Sequence, residues 1–403
     1  MTTTGGTPRA LVAGAHSSND FMRQRNLSAV LTMLHHDGPQ SRADLVRRTG
    51  LTRSTIAVLA SELEELDLVR ALGATAVPGQ VGRPSALLEA NAQVAAIAIH
   101  PETDAITVGI VGLGGEVLRR VRYDTAEPAT ARETVRIVRT IVDGMRADLG
   151  AECRIVGAGI AVPGMVNTSD GRVLLAPHLG WKNESIAAAL TRALGVSVVA
   201  GNDASVGATG EFAFGAARGV QNLVYVNGTP SGIGGGVIID GVLLRGMGGF
   251  AGEMGHTLVN SSGTRCHCGR IGCLETEVSL ERLLPYLGRE HIDEDELDIA
   301  LGLGRDPALL RELAHQVDFL SEALTNFVNL FSPDTVVLAG YLGSLLSVSR
   351  ERLTDAVRLS PLGGHVRSIR LERAQLRSRL MLVGAAELVF ERTVLPVLPS
   401  DPG

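Results

Sequence analysis

Gly252-Glu253-Met254-Gly255-His256, followed by Arg265-Cys266-His267-Cys268-Gly269-Arg270-Ile271-Gly272-Cys273-Leu274-Glu275, is the stretch from which the rest of the chain can be read. Three of the four cysteines fall between positions 266 and 273, and His256 stands ten residues ahead of the first of them. One imidazole and three thiolates make a complete tetrahedral ligand set for zinc, leaving no position open for a catalytic water. Cys266 and Cys268 are too close for an easy mutual disulfide, and three thiols cannot all pair. The spacing therefore predicts a structural Zn2+ held by His256, Cys266, Cys268 and Cys273. Glu253 and Glu275 bracket the cluster, so the metal is expected to hold a carboxylate-lined site in shape rather than to do chemistry.

Outward from this stretch, the 403 residues are enough for two or three domains with well-buried cores. The 48 glycines, with abundant alanine and only 3% aromatics, suit α/β packing in which helices lie close on sheets. The net charge of −6 means that any nucleic-acid contact must come from a local basic surface. Lys182 is the only lysine, so arginine carries the positive charge, and its planar fork suits phosphate and guanine. The thiol pattern fits a reducing compartment, no signal peptide opens the chain, and no apolar run is long enough to span a bilayer. A cytoplasmic protein with no membrane partner is expected.

Residues 1–19 are Thr-, Gly- and Ser-rich without periodicity and read as a disordered arm. Leu27, Val30, Leu31 and Leu34 then recur at helical spacing up to Gly38-Pro39. Ser41 to Asp44 reads as a helix cap, Gly50 as the stop of that helix, and Thr52 as the cap of a third helix. Ile56, Leu59, Leu63 and Leu66 form the apolar stripe of that third helix. A strand at Leu68 to Arg70, a hairpin tip at Gly79 to Pro84 and a return strand at Ala86 to Glu89 complete a winged helix-turn-helix over residues 20–91. Arg53, Ser54 and Thr55 open the third helix, the end that meets base edges in this motif. Arg42, Arg47 and Arg48 are placed to reach phosphates, and Arg83 at the tip to enter a minor groove.

Beyond residue 92 strands alternate with helices, which is the α/β pattern. Val94–Ile99 and Ala105–Val111 read as paired strands, Thr130–Leu149 as a helix, and Ile155–Ala161 as a buried strand. Trp181–Leu194 reads as a second helix and Val196–Ala200 as a strand, with Gly201-Asn202-Asp203 at its carboxyl end. An Asn-Asp pair there is a plausible ligand site, although a helix cap is the simpler use of Asp203. Ser231–Gly236 reads as a tight glycine turn between strands, which can offer backbone N–H groups to phosphate. Phe319–Phe331, Thr335–Gly340 and Val383–Phe390 read as helix, buried strand and closing helix.

Together these motifs resemble the ROK family of sugar-responsive repressors and sugar kinases, from Phe21 to about Val394. Glu253-Met-Gly-His256 with Cys266-His-Cys268-Gly-Arg-Ile-Gly-Cys273-Leu-Glu275 is the most specific part. Gly159–Gly164, Ala176–Trp181 and Gly201–Asp203 match in the same order. The N-terminal winged helix is similar to that of the repressor branch, of xylose-repressor type; the stand-alone kinases lack it. The resemblance implies a two-lobed actin-like ATPase (ROK) fold behind the winged helix-turn-helix. It places a first lobe at residues 92–200, joined by a returning helix at 380–394, and a second lobe at 201–379 with the zinc site and a dimerisation surface. It makes His256, Cys266, Cys268 and Cys273 the zinc ligands, and Asn202, Asp203, Glu253, His256 and Glu275 the sugar-binding residues, with Asp203 at the position of the kinases' base. It implies palindromic operator DNA, a small-molecule sugar effector and a homodimer or homotetramer as partners. His178 stands where family members often carry Asn. The main departure is at His100-Pro101-Glu102-Thr103-Asp104, where active kinases carry Asp-x-Gly-Gly-Thr, a phosphate-binding hairpin. Without the glycine pair, and with carboxylates facing where phosphates would lie, the chain is expected to be a regulator and not an enzyme. The alternative is an ATP-dependent sugar kinase fused to a DNA-binding module.

Overall fold

The computed structural model describes residues 18–72, 86–150, 152–358 and 369–397. The chain divides into two compact units, one of Met1–Ala90 with Val394–Gly403 and one of Asn91–Thr393.

The first unit contains α1 (Ser18–Asp37), β1 (Gln40–Ser41), α2 (Arg42–Thr49), α3 (Arg53–Glu65), β2 (Val69–Ala71) and β3 (Leu87–Ala90). Its small sheet has the order β1-β3-β2. Leu27, Val30, Leu31 and Leu34 of α1 and Ile56, Leu59 and Leu63 of α3 are buried, as their spacing predicts. Leu66 is exposed instead, because α3 stops one residue before it. Ser41 caps α2 through a reciprocal box with Asp44, and the Ser41 hydroxyl holds the Asp44 carboxyl below its ordinary value. Gly50 ends α2 in the left-handed region, and Thr52 caps α3 by accepting from the Thr55 amide. The expected arm overlaps α1, which begins at Ser18; the rest of the arm, the hairpin tip with Arg83 and the end of the C-terminal tail lie outside the described residues.

The second unit runs β4 (Val94–Pro101), β5 (Ala105–Gly112), β6 (Val117–Asp124), α4 (Ala131–Asp148), β7 (Arg154–Val162), β8 (Met165–Asn167), β9 (Arg172–Ala176) and β10 (Trp181–Glu184). It continues with α5 (Ile186–Leu194), β11 (Val198–Asn202), α6 (Asp203–Phe214), β12 (Leu223–Thr229), β13 (Gly232–Ile239), β14 (Val242–Leu243), α7 (Leu274–Glu277) and α8 (Leu280–Leu287). It closes with α9 (Glu294–Leu303), α10 (Pro307–Phe331), β15 (Thr335–Gly340), α11 (Tyr341–Arg358), β16 (Arg370–Arg373) and α12 (Leu380–Thr393). Two five-stranded sheets carry it, ordered β11-β7-β4-β5-β6 and β14-β13-β12-β15-β16. Each combines antiparallel hairpins with parallel crossovers, and each has its own buried core. This is the two-lobed α/β arrangement that the resemblance implies. The C-terminal α12 packs back on β4 and β7 of the first sheet and on α6.

Two expectations are corrected here. The stretch Trp181–Leu194 is not one helix: Trp181–Glu184 pairs with β9, and the helix starts at Ile186. Trp181 is buried and donates its indole N–H to the Ala129 carbonyl, which fixes the segment as strand. The glycines of Ser231–Gly236 are not the turn either. The turn is Pro230-Ser231, and Gly232 opens β13. A Cβ at Gly234 would lie 2.7 Å from the Ala204 methyl, and one at Gly236 2.6 Å from that of Ala208. These glycines let α6 lie directly on the strand, so they serve packing as well as any ligand.

Candidate functional site: a carboxylate-lined cavity beside a Cys/His cluster

The loop from Glu253 to Cys273 is built to converge four donors. Met254–His256 forms one short turn, and antiparallel bridges join Leu258 to Cys273 and Arg265 to Ile271. The Cys266 amide donates to the Arg270 carbonyl at 2.7 Å, which closes the tip. Gly272 has φ of 75°, and a Cβ there would strike the Asn260 carbonyl oxygen at 1.5 Å, so only glycine fits. Buried Glu277 ties the loop down, accepting from the Thr264 amide at 3.3 Å and facing His315 Nε2 at 3.1 Å.

The result brings together all four expected ligands. Donor atoms of His256, Cys266, Cys268 and Cys273 lie within 4.8 Å of one another and can hold a metal ion. His256 Nδ1 is 3.6 Å from Cys266 Sγ, and Cys268 Sγ is 3.7 Å from Cys273 Sγ. Glu275 Oε1 stands 3.0 Å from Cys266 Sγ and 3.3 Å from His256 Nδ1. Burial pushes the Cys266 and Cys273 thiols up, whereas the Arg270 amide holds the Cys268 thiol below its ordinary value. His267, between the first two cysteines, also turns Nδ1 to Glu275 Oε1, at 3.2 Å.

Beside the cluster lies a cavity of about 350 Å3. Asn202, Asp203, Glu253, His256 and Glu275 all line it. Asn202 caps α6 by accepting from the Ser205 amide and donates its Nδ2 to the Gly164 carbonyl at 3.0 Å. The cap is thus Asn202, and Asp203 is left to face the cavity, its Oδ1 accepting from the Ala204 amide at 2.9 Å. Seclusion from bulk water pushes the Asp203 carboxyl up, against the pull of nearby His100. Sequence reading missed Asn227 and Thr229, which line the cavity together with Ser231 of the expected glycine turn. Only the pairing of β12 with β13 brings them there.

A second cavity, of about 630 Å3, adjoins the first and shares Asn227 and Thr229 with it. Its wall includes His100 and Glu102 of the His100–Asp104 hairpin. Arg122 of β6 donates to Glu102 at 2.8 Å, Asp104 at 2.7 Å and Asp124 at 2.9 Å. Thr107 adds a bond to Glu102, and His100 Nδ1 meets the Ala161 carbonyl at 3.1 Å. The carboxylates expected to face phosphate are therefore turned onto an arginine of the same sheet.

Of the expected DNA-contacting residues, Arg53 and Ser54 are exposed and Thr55 partly so, at the start of α3. Ser54 and Thr55 share hydrogen bonds with the Thr52 hydroxyl. Arg42 pairs with Glu64, Arg47 with Asp44, and Arg48 with Asp37. No helix among the described residues is long and apolar enough to cross a membrane.

Two α/β lobes behind a helix-turn-helix, with a Cys/His loop at the cavity wall, define a ROK-type regulator architecture. The ROK family model matches residues 96–392, and the chain belongs to the ROK family. It is 27% identical over 393 residues to a xylose repressor of Caldicellulosiruptor bescii, covering 93% of this chain and 97% of that one. A crystal structure of a ROK family transcriptional regulator, a homologue of the E. coli MLC protein, superposes with a TM-score of 0.75 at 26% identity. That match covers 92% of this chain and 96% of the other. A ROK family glucokinase from Streptomyces griseus, in complex with glucose and AMPPNP, matches with a TM-score of 0.60 at 26% identity. It covers 73% of this chain and 98% of its own.

Proposed function

We propose that the chain is a sugar-responsive, DNA-binding transcriptional repressor whose ROK domain binds its effector without phosphorylating it. The observation that carries this reading is one chain holding both a helix-turn-helix unit and a cavity lined by Asn202, Asp203, Glu253, His256 and Glu275. Likeness over nearly full length to a xylose repressor and to a ROK transcriptional regulator supports it. Carboxylates and an amide in a cleft discriminate hydroxyl patterns strongly, because a buried polar group left unpaired is costly.

The metal is zinc. A tetrahedral zinc with bonds of about 2.3 Å to sulfur and about 2.05 Å to nitrogen separates two sulfurs by about 3.8 Å, and sulfur from nitrogen by about 3.6 Å. The distances of 3.7 Å and 3.6 Å in the cluster fit that ion. Its role is structural, since four protein donors leave no open position. His256 offers Nδ1 to the metal, leaving Nε2 for the cavity, and the non-ligating His267 is the imidazole that can donate from Nδ1 to Glu275.

Sugar binding closes the lobes, and the protein acts as a dimer or tetramer on a palindromic operator. A change in half-site spacing then alters operator affinity through a coupling free energy. Arg53, Ser54 and Thr55 read bases, Arg42, Arg47 and Arg48 contact the backbone, and Arg83 enters the minor groove. Arg53→Ala is expected to weaken operator binding by about 1–3 kcal/mol; unchanged affinity removes it from the reading helix.

The rival reading is a sugar kinase with an attached DNA-binding module. Asp203, at the position of the family's base, favours it, as does the likeness to a glucokinase. An ATP-dependent phosphorylation assay over hexoses, pentoses and N-acetylhexosamines separates the two. The expected result is no turnover above background, and robust turnover with any of these sugars would overturn the reading.

A further inference from the structure

The helix α3 of the first unit offers few side chains to a partner. It buries Ile56, Leu59, Ala60 and Leu63 in its own unit. Between Arg53 and Ser61 it leaves Arg53, Ser54, Ala57, Val58 and Ser61 exposed. Glu62 is half-buried and taken by Arg23 at 2.8 Å. The helix contains no Asn, Gln or Lys, so the bidentate amide pairing that reads adenine is closed to it. Arg53 is its one long hydrogen-bonding side chain in the exposed set.

Val58 stands apart from this pattern. It is 59% exposed, whereas Ile56, Leu59 and Leu63, the other large apolar side chains of α3, are buried. It lies one turn beyond Ser54 on the same face, as Ala57 lies one turn beyond Arg53. Val58 and Ser54 line one groove, of about 410 Å3, with Met22 and Asn26 of α1. An apolar wall therefore sits beside hydroxyl and amide groups. In the major groove a thymine edge has the matching character, a C5 methyl beside the O4 acceptor. An aliphatic side chain gains nothing from phosphates, but it does gain from covering a methyl group. Four residues advance a helix by about 6 Å, close to two base-pair steps of about 3.4 Å.

We propose that Val58, with Ala57 beside it, is the thymine-reading residue of α3, packing on the C5 methyl of a thymine about two base pairs from the base that Arg53 contacts. This rests on the DNA-binding reading above and names the base-edge chemistry that the helix recognises. The test starts by selecting sites for the full chain from a random duplex library. Each thymine in one half-site is then replaced by deoxyuridine, which removes only the C5 methyl. At one position this is expected to weaken binding about fourfold, the factor for one buried carbon. In Val58→Ser the penalty at that position is expected to fall below about twofold, while Val58→Thr, which keeps a methyl there, retains most of it. Because Val58 is exposed, both variants are expected to melt with the parent protein. A penalty unchanged in Val58→Ser, or a site in which no thymine methyl matters, overturns the assignment while leaving DNA binding intact. A library from which nothing is enriched overturns the DNA-binding reading on which the proposal stands.

Discussion

The two cavities of the second unit share Asn227 and Thr229 yet are built on opposite principles. At the Cys/His end, polar groups are aimed inward: Asp203, Glu253 and Glu275 meet the cavity, and the backbone beneath them is pinned by Gly272 and Glu277. At the hairpin end, polar groups are turned on one another: Arg122 takes three carboxylates, and Arg373 and Arg377 pair with acids of α9. Three of the arginines lining the hairpin end, Arg122, Arg373 and Arg377, satisfy neighbouring acids, and Arg120 is the exception. The two walls are held by separate loops, the Cys/His loop at one end and the His100–Asp104 hairpin at the other.

The contrast can be broken most severely at the cluster. Cys273→Ser removes a buried thiolate donor, and structural zinc sites contribute on the order of 10 kcal/mol of apparent binding free energy in small domains. Metal content by atomic emission is expected to fall from about one ion per chain to near none, with a large drop in melting temperature. Full metal content in the variant would remove Cys273 from the ligand set. A smaller effect is expected one step outward. Glu277→Gln removes the charge facing His315 and weakens the acceptor for the Thr264 amide, at a cost of about 1–3 kcal/mol in urea unfolding. An unchanged midpoint would show that the loop is held by the metal alone. The smallest effect belongs to the hairpin end. Arg122 is about a third exposed, so Arg122→Ala should cost roughly 1 kcal/mol or less, and high salt should erase the difference. A loss larger than that of Glu277→Gln would reverse the contrast between the two ends.

Much of this was legible in the sequence where one residue type admits one use. The Cys-x-Cys-x4-Cys run with its upstream histidine pointed to the four side chains whose donor atoms the fold brings within 4.8 Å of one another, and Ser41, Gly50 and Thr52 marked the ends of α2 and α3. Legibility failed where a residue's role depends on a distant partner. Trp181 reads as a helical residue until Ala129 and β9 claim it. Gly234 and Gly236 read as a turn until α6 is laid on them. Glu102 and Asp104 read as carboxylates facing phosphate, and only the register of β5 with β6, which sets Arg122 opposite Thr107, shows them already neutralised. The helix cap assigned to Asp203 belongs to its neighbour Asn202, which frees Asp203 for the cavity.

The most direct measurement joins the two units in one experiment: fluorescence anisotropy of labelled operator DNA titrated with the full chain, with and without a saturating sugar and with no ATP present. The proposed repressor predicts a change in operator Kd of about tenfold, equivalent to about 1.4 kcal/mol of coupling, in the absence of any nucleotide. An operator Kd that stays the same with the sugar demonstrably bound would contradict it.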